Sequence, residues 1–536
     1  MRLVCFLSLA LLGSVTCGDE LLPADQPIEA AIDHYIDQRL AKENVSPAPE
    51  APAENLLRRT MLDLAGRTPT MHEAQAFAAD PASDKQTQLV DRLLASPAFV
   101  RHQANEFDAL LMEGKGNLRQ YLSEAFAENR SWDKIFRELL LGIEGDAEQK
   151  RGPLQFVRSR ANDIDQLTTD VSSLFFGVNV SCAKCHDHPL VLDWKQDHYY
   201  GMKSFFERTY VVGDFVGEKD YGLGKYKTTA GEEKTAKVMF LTGTVLDEPA
   251  DRTLTEEEKK SEKQQLDELK KNKQPPPAPS YSRRAKLVEA ALQPAESSFF
   301  ARAIVNHVWN RFFGRGLVMP VDQLHSENPG SHPELLAWLA RDMQSRGYDL
   351  KRLIRGIVLS KAYARSSRWD SAAERPRDEL FAIAILRPLS PAQYGAALRL
   401  ATMNPDELPL TMPADELDRR MQQIEGAGRG LTEKLELPGA EFQVSVDEAL
   451  HFSNSERVAK ELLRSGKDTL IEKLQSISDP AERASLAIRA ITARPPESAE
   501  LEVVQQFFQQ RSDRPDTACQ QVVWSLLMSS ELRFNY

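Results

Sequence analysis

Apolar side chains recur along the first quarter of the chain at the spacing of one helix face. Leu56, Leu57, Met61, Leu62 and Leu64 predict a helix, which Arg67-Thr68-Pro69-Thr70 interrupts before a second helix containing Glu73. A third helix is predicted over 85–95, ending at Ser96-Pro97. Residues 26–130 read as helical, and the apolar period continues over 103–145 with Phe107, Tyr121, Phe126, Trp132 and Phe136 as anchors. The pattern then changes. Tyr210, Val211, Val212, Phe215 and Val216, then Gly-rich turns, then Lys237–Leu241 and Thr242, Thr244 and Val245, predict a few short strands over 209–248.

Thr255 and Glu258 form the signature of a capping box for a helix over about 256–271. That helix reads as a solvated face, because residues 256–273 hold six acidic and six basic side chains. Pro275, Pro276, Pro277 and Pro279 then predict a stiff, extended linker. Residues 283–400 are helical again, and Ser390, Pro391 and Gln393 supply an N-cap, a first-turn proline and a box partner. Residues 402–450, with Gly426, Gly428 and Gly430, read as loop-rich, and 453–535 as helical. The predicted fold is mainly α. Two helical domains, 19–208 and 283–536, flank a small β-rich segment at 209–252 and a charged, Pro-rich linker at 253–282.

An internal echo runs through the helices. Arg67-Thr-Pro…Glu73 with LLASPAF (93–99) resembles Arg494-Pro-Pro…Glu500 with LLMSSEL (526–532), and IVLSKAY (357–363) repeats the second half. The echo is either a repeated unit or the common way a helix ends at Ser; unequal spacing between the paired elements favours the latter.

Composition narrows the function classes. The chain has 536 residues, a formal charge of −12 and 42% hydrophobic residues, enough for sizeable cores. No concentrated basic face suggests nucleic-acid binding. Apart from a short N-terminal run, no apolar stretch approaches the ~18 residues of a membrane span. That run reads as an export signal over 1–18: Arg2, then the apolar 3–12, then Gly13, Ser14, Thr16 and Gly18. Cys17 raises lipid anchoring as an alternative, although Thr16 stands where a smaller residue is usual. An exported location, periplasmic, envelope-bound or secreted, is expected. Beyond Cys5 and Cys17 only Cys182, Cys185 and Cys519 remain, too few for a disulfide framework.

Two of these lie in Cys182-Ala-Lys-Cys185-His186, the C-x-x-C-H spacing of c-type haem attachment. Two thiols on one turn reach the two vinyl groups of haem, and His186 stands as the proximal iron ligand. Export supports the reading, since such haem is attached outside the cytoplasm. Asp193, with Gln196, is expected to cap a helix reaching about 208, with Trp194, His198, Met202 and Phe205 on one face. His198 or Met202 could then reach the iron from the far side, unless Met202 is ordinary core. His188 and Trp194 are expected to support the site without binding the iron. Zinc on Cys182, Cys185 and one or two of His186, His188 and His198 is the rival cofactor, and a redox-active disulfide a third reading.

The segment CAKCHDHPLVLDWKQDHYYGMKSFF (182–206), with the upstream LLRRTMLDLAGRTPT and LVDRLLASPAF, resembles the planctomycete cytochrome-like family, domain of unknown function 1549. FFARAIVNHVWNRFFGRGLVMPVDQL (299–324), SHPELLAWLA and YDLKRLIRGIVLSKAYARSS resemble its usual partner, domain of unknown function 1553. The resemblance implies a secreted or envelope-associated protein with a haem-binding motif and no established reaction. Cys182, Cys185, His186, Asp187, His188, Pro189, Trp194, Tyr199 and Tyr200 fall on the family pattern, whereas His198 stands where an acidic residue is usual.

In the second helical region Asn306, His307, Trp309, Arg315, Asp322, His325, His332 and Glu334 are cleft candidates without a recognisable catalytic constellation. Ser331 and Glu334 read as a capping box, and Phe313-Gly314 as a helix end. The expected function is a mono-haem redox or electron-transfer protein of the cell envelope, with catalytic residues and redox partner unknown. The alternatives are a non-redox envelope protein that binds or processes surface polymer around a structural metal, and a thiol-disulfide oxidoreductase.

Overall fold

The computed structural model describes residues 21–143, 147–189, 191–294, 298–432, 435, 448, 452 and 455–536; the expected leader at 1–18, with Cys17, lies outside the described residues. The architecture is mainly α, with three two-stranded antiparallel ribbons among the described residues. The first ribbon pairs Thr209–Val212 with Phe215–Glu218 through a tight turn at Gly213 (φ 58°). The second pairs Lys225–Lys227 with Glu233–Thr235, and the third pairs Arg387–Pro388 with Phe534–Asn535. No described helix is long and apolar enough to cross a membrane.

Several predicted ends are observed. The charged helix is Glu256–Asn272, with Thr255 and Glu258 in a reciprocal capping box and no buried side chain. Ser390 and Gln393 cap Pro391–Thr402 in the same way. Gly314 (φ 76°) ends Ser298–Phe313. Three expectations need correction. Residues 414–432 are a helix, and its Gly428 serves a close backbone crossing: a Cβ there would lie 2.4 Å from the Gly395 carbonyl carbon. Lys237–Leu241 forms no strand beyond a single bridge, Met239 to Val245, because Val238, Phe240 and Leu241 are buried as anchors in the helical core. Ser331 does not cap Pro333–Ser345; its amide and hydroxyl both bond the Leu317 carbonyl, and His332 takes the cap position.

The two helical regions share their principal core across the linker. Trp132 stacks on Phe300 (6.4 Å between centroids), and Phe136 packs on both Phe300 (4.9 Å) and Phe175 (4.8 Å). A second core gathers Leu389, Tyr394, Leu398, Leu431, Leu470 and Val523 of the C-terminal helices around Leu62 of helix Ala53–Ala65.

The internal echo is a shared construction. In the first copy, Ala53–Ala65 ends at Gly66 (φ 72°), Arg67 bonds both carboxylate oxygens of Glu73 (2.7 and 2.8 Å), and Glu73 closes a capping box with Thr70. In the second, Pro480–Thr492 ends at Ala493 (φ 59°), Arg494 bonds Glu500 (2.9 and 3.3 Å), and Glu500 closes a box with Glu497. The unequal spacing arises from longer helices: 9 and 10 residues in the first copy, 13 and 13 in the second.

Adjacent arginines of Ala53–Ala65 tie the copies together. Arg58 donates to the carbonyls of Glu531, Leu532 and Phe534, and Arg59 to those of Tyr363 and Arg365. Each thus satisfies acceptors left open where a short helix ends. One turn on, the Asp63 carboxylate accepts the Tyr363 hydroxyl (2.7 Å), two Arg387 nitrogens (2.9 and 2.7 Å) and the Asn535 amide (3.0 Å). Asp63→Ala leaves the partly buried Arg387 charge unpaired, so it is expected to destabilise the protein by roughly 3 kcal/mol in urea titrations. Asp91→Ala, which removes the exposed pair with Arg355, should cost no more than about 1 kcal/mol.

His332 supplies a pH dependence. Its ring packs on Phe381, and burial, reinforced by the Arg39 charge, pushes its pKa down to about 4. An unfolded histidine titrates near 6.5, so between these values the unfolded chain binds more protons. The stability associated with neutral His332 is therefore complete above about pH 6.5 and is lost as pH falls through 4, by about 3 kcal/mol in total. His332→Asn should flatten that limb when unfolding free energies at pH 7 and pH 4.5 are compared with those of the unsubstituted protein.

Candidate functional site

The Cys182–His186 segment is held from both helical regions. Helix Ile164–Phe176, capped by Asp163, ends at Gly177 (φ 66°), where a Cβ would lie 2.5 Å from Leu324. Val178 then bridges to Gln323. Asn179 bonds Asp322 twice, amide to carbonyl (2.8 Å) and side chain to carboxylate (3.0 Å). Its own side-chain oxygen accepts the Ser181 amide (3.1 Å) and hydroxyl (2.6 Å), which starts the 3-10 turn Ser181–Lys184.

On that turn Ala183 is buried while Cys182 and Cys185 are exposed free thiols. His186 is exposed, its Nδ1 2.7 Å from the Asp187 carbonyl oxygen. Lys184 reaches back to Asp165 (2.8 Å), which also accepts the Tyr199 hydroxyl (2.6 Å) and Lys203 (2.7 Å). Burial pushes the Asp165 carboxyl up, but these three hydrogen bonds outweigh it and hold the group well below the usual carboxylate range. Burial and the same Asp165 bond push the Tyr199 phenol up, so it stays protonated as the donor.

The following loop closes on itself. The His188 amide donates to the Trp194 carbonyl (2.8 Å), and His188 Nδ1 accepts the Val191 amide (3.0 Å). Leu192, at the tip, is 85% exposed. Asp193 does not cap the next helix; its carboxylate accepts the amide (2.8 Å) and hydroxyl (2.9 Å) of Ser326. The helix is Gln196–Ser204, shorter than expected and preceded by Trp194, and Asp187 accepts its first amide, that of Gln196 (2.9 Å). Trp194 is buried against Phe299 and the edge of His198. His198 Nδ1 accepts the Lys195 amide (3.1 Å), and burial lowers the pKa of the ring. Met202 is fully buried in the principal core.

Cys182, Cys185 and His186 therefore share one exposed turn, with His188, Trp194 and His198 in the adjoining loop and helix start and Met202 beneath. Among the second-region candidates, Asp322 and His325 come to the motif. Burial lowers the pKa of His325, and neighbouring His188 acts in the same direction against Asp193. Asn306 is buried and holds Val318 through its amide, Trp309 stacks on Phe313, and Arg315 pairs with Glu379 (3.6 Å). His307 is within reach of the Ser173 backbone. Asp165, Asn179 and Ser326 were not legible as site residues, because each contributes through a contact distant in sequence or through backbone geometry. Among the described residues no group of three or more His, Cys, Asp and Glu side chains is placed to hold a metal ion. Two free thiols and the next-door imidazole, all exposed on one turn, do match the donor set of covalent haem attachment.

Comparison with curated proteins and with solved structures gives no match. Two family models do match, together over more than half of the chain. Residues 31–211, which contain the turn, match PSCyt2, protein of unknown function DUF1549, and residues 283–415, which contain Asp322 and Ser326, match PSD1, protein of unknown function DUF1553. The chain belongs to the family in which the DUF1549 region is followed by the DUF1553 region.

Proposed function

We propose that this is an exported haem-c-binding protein of the cell envelope that transfers electrons through a single covalently attached haem. One observation carries the reading: Cys182 and Cys185 are free and exposed, one 3-10 turn apart, and exposed His186 follows directly. Each thiol would add its S–H across a vinyl C=C, giving a thioether without any external oxidant. His186, the next residue, would supply the nitrogen that holds the iron. Haem, when bound, supplies a one-electron couple at its iron, tuned by axial ligand and burial. The chain's own residues set the frame. Lys184 and Asp165 fix the turn, Asn179 starts it, and Asp187 ties it to helix Gln196–Ser204. Exposure of the turn, with Leu192 beside it, leaves an edge that a redox partner could approach. Export enters the reading from the pattern of residues 2–18.

A second reading rests on the same thiols: exposed, free and with two residues between them, they are also what a thiol-disulfide oxidoreductase displays. Production alongside periplasmic haem-attachment machinery separates the two. The expected product is coloured, keeps its chromophore through acid-acetone extraction, and shows the added mass on the peptide containing Cys182 and Cys185. Cys182→Ala with Cys185→Ala should abolish the covalent chromophore, and His186→Ala should keep it while changing the axial-ligand spectrum. A colourless product with unmodified thiols overturns the haem reading. A titratable disulfide in that product supports the second, and stoichiometric zinc supports a structural metal site in a non-redox envelope protein.

A further inference from the structure

A cleft of about 540 Å³ lies far from Cys182 in sequence, between the first helical region and helix Ala414–Thr432. One wall is built by Leu57, Met61 and Leu89, and the other by Leu408, Met412 and Met421. Leu410, at 60% exposure one of the few large apolar side chains open to solvent among the described residues, also lines it. Three methionines suit an occupant of flexible shape, because thioether side chains adapt their rotamers at little cost.

The polar groups lining this cleft are not equivalent. Each acid is already engaged: Glu73 by Arg67 and the Thr70 amide, Asp418 by Arg101 (2.7 Å), and Asp80 by the Ala82 amide (2.9 Å). Lys85, Gln88, Leu89 and Arg92 share one face of helix Lys85–Leu94 and all line the cleft. Lys85 donates to the carbonyls of Phe77 (3.1 Å) and Asp80 (3.0 Å). Arg92 is exposed, and its charge helps to hold the Glu73 carboxyl down without a hydrogen bond between the two among the described residues. The cleft thus joins apolar walls to an exposed guanidinium, whose fork matches a carboxylate.

We propose that this cleft is a binding site for a long-chain carboxylate, with the chain between the methionine-lined walls and the headgroup on Arg92. A volume of about 540 Å³ falls within the range of small-molecule pockets, roughly 300–1,000 Å³. A mostly apolar pocket with a few placed polar groups, at the junction of two structural units, is where such ligands are usually held. The proposal is independent of the haem reading.

The test is titration of the purified full chain with palmitate below its aggregation threshold, followed by calorimetry and native mass spectrometry. One palmitate per chain is expected, and laurate should bind at least tenfold more weakly, because each lost methylene removes apolar burial. Arg92→Gln should weaken palmitate about tenfold and leave hexadecanol unchanged. Ala76→Trp, at an exposed position lining the cleft, should block both while circular dichroism and the thermal midpoint stay unchanged. Absence of saturable palmitate binding overturns the proposal. So does equal binding of hexadecyltrimethylammonium, or wild-type affinity in both variants.

Discussion

The buried carboxylate of Asp63 is the point at which distant stretches of the chain are tied together. It accepts from Tyr363, Arg387 and Asn535, which belong to three separate stretches of the chain. A buried carboxylate is tolerated only when donors occupy its lone pairs, and these three side chains supply them, with Arg387 bringing the opposite charge. The same helix sends Arg58 to the end of the last short helix and Arg59 to the helix Lys361–Ala364. Three charged side chains within two turns thereby lock the first helical region, the second and the closing strand Phe534–Asn535 into one arrangement. Replacing such a cluster by apolar residues need not cost stability, but removing one member strands the others, so its value lies chiefly in specifying which segments meet.

Helix Ser298–Phe313 carries that arrangement to the thiol turn. Near its end the Arg311 carbonyl accepts Arg387, the partner of Asp63. Near its start Phe299 packs on Trp194 and Phe300 stacks over Trp132. In between, Ala303 packs beside Gly177, its Cβ 3.4 Å from where a Cβ at Gly177 would lie, at the point where the motif segment leaves its helix. One rigid element therefore spans from the charged hub to the turn. The second region also contributes Asp322 and Ser326 directly to the motif's frame.

Much of the helical pattern was legible because it rests on local rules. Thr255 with Glu258, and Ser390 with Gln393, announce their caps through side-chain chemistry that needs no tertiary partner. The failures have a common cause. Gly428 sits in a helix because another backbone passes it, Ser331 turns toward the Leu317 carbonyl, and Asp193 toward Ser326; each is decided by a partner distant in sequence. The echo between Arg67 and Arg494 was visible, but its meaning lay in paired guanidinium–carboxylate contacts that periodicity does not encode. At the site, C-x-x-C-H was readable because covalent chemistry constrains spacing, whereas the Asp165 and Asn179 supports carry no such spacing.

The placement of the two side chains expected on the far side of an iron also separates them. Met202 is closed into the principal core, and drawing it out would leave a cavity costing about 2–5 kcal/mol by analogy with large-to-small core substitutions. His198 is partly exposed and engaged only through Nδ1 at the start of its helix, where its ring meets the edge of Trp194. Of the two, His198 is therefore the one that lies toward the surface, where the second region also brings His325 near His188.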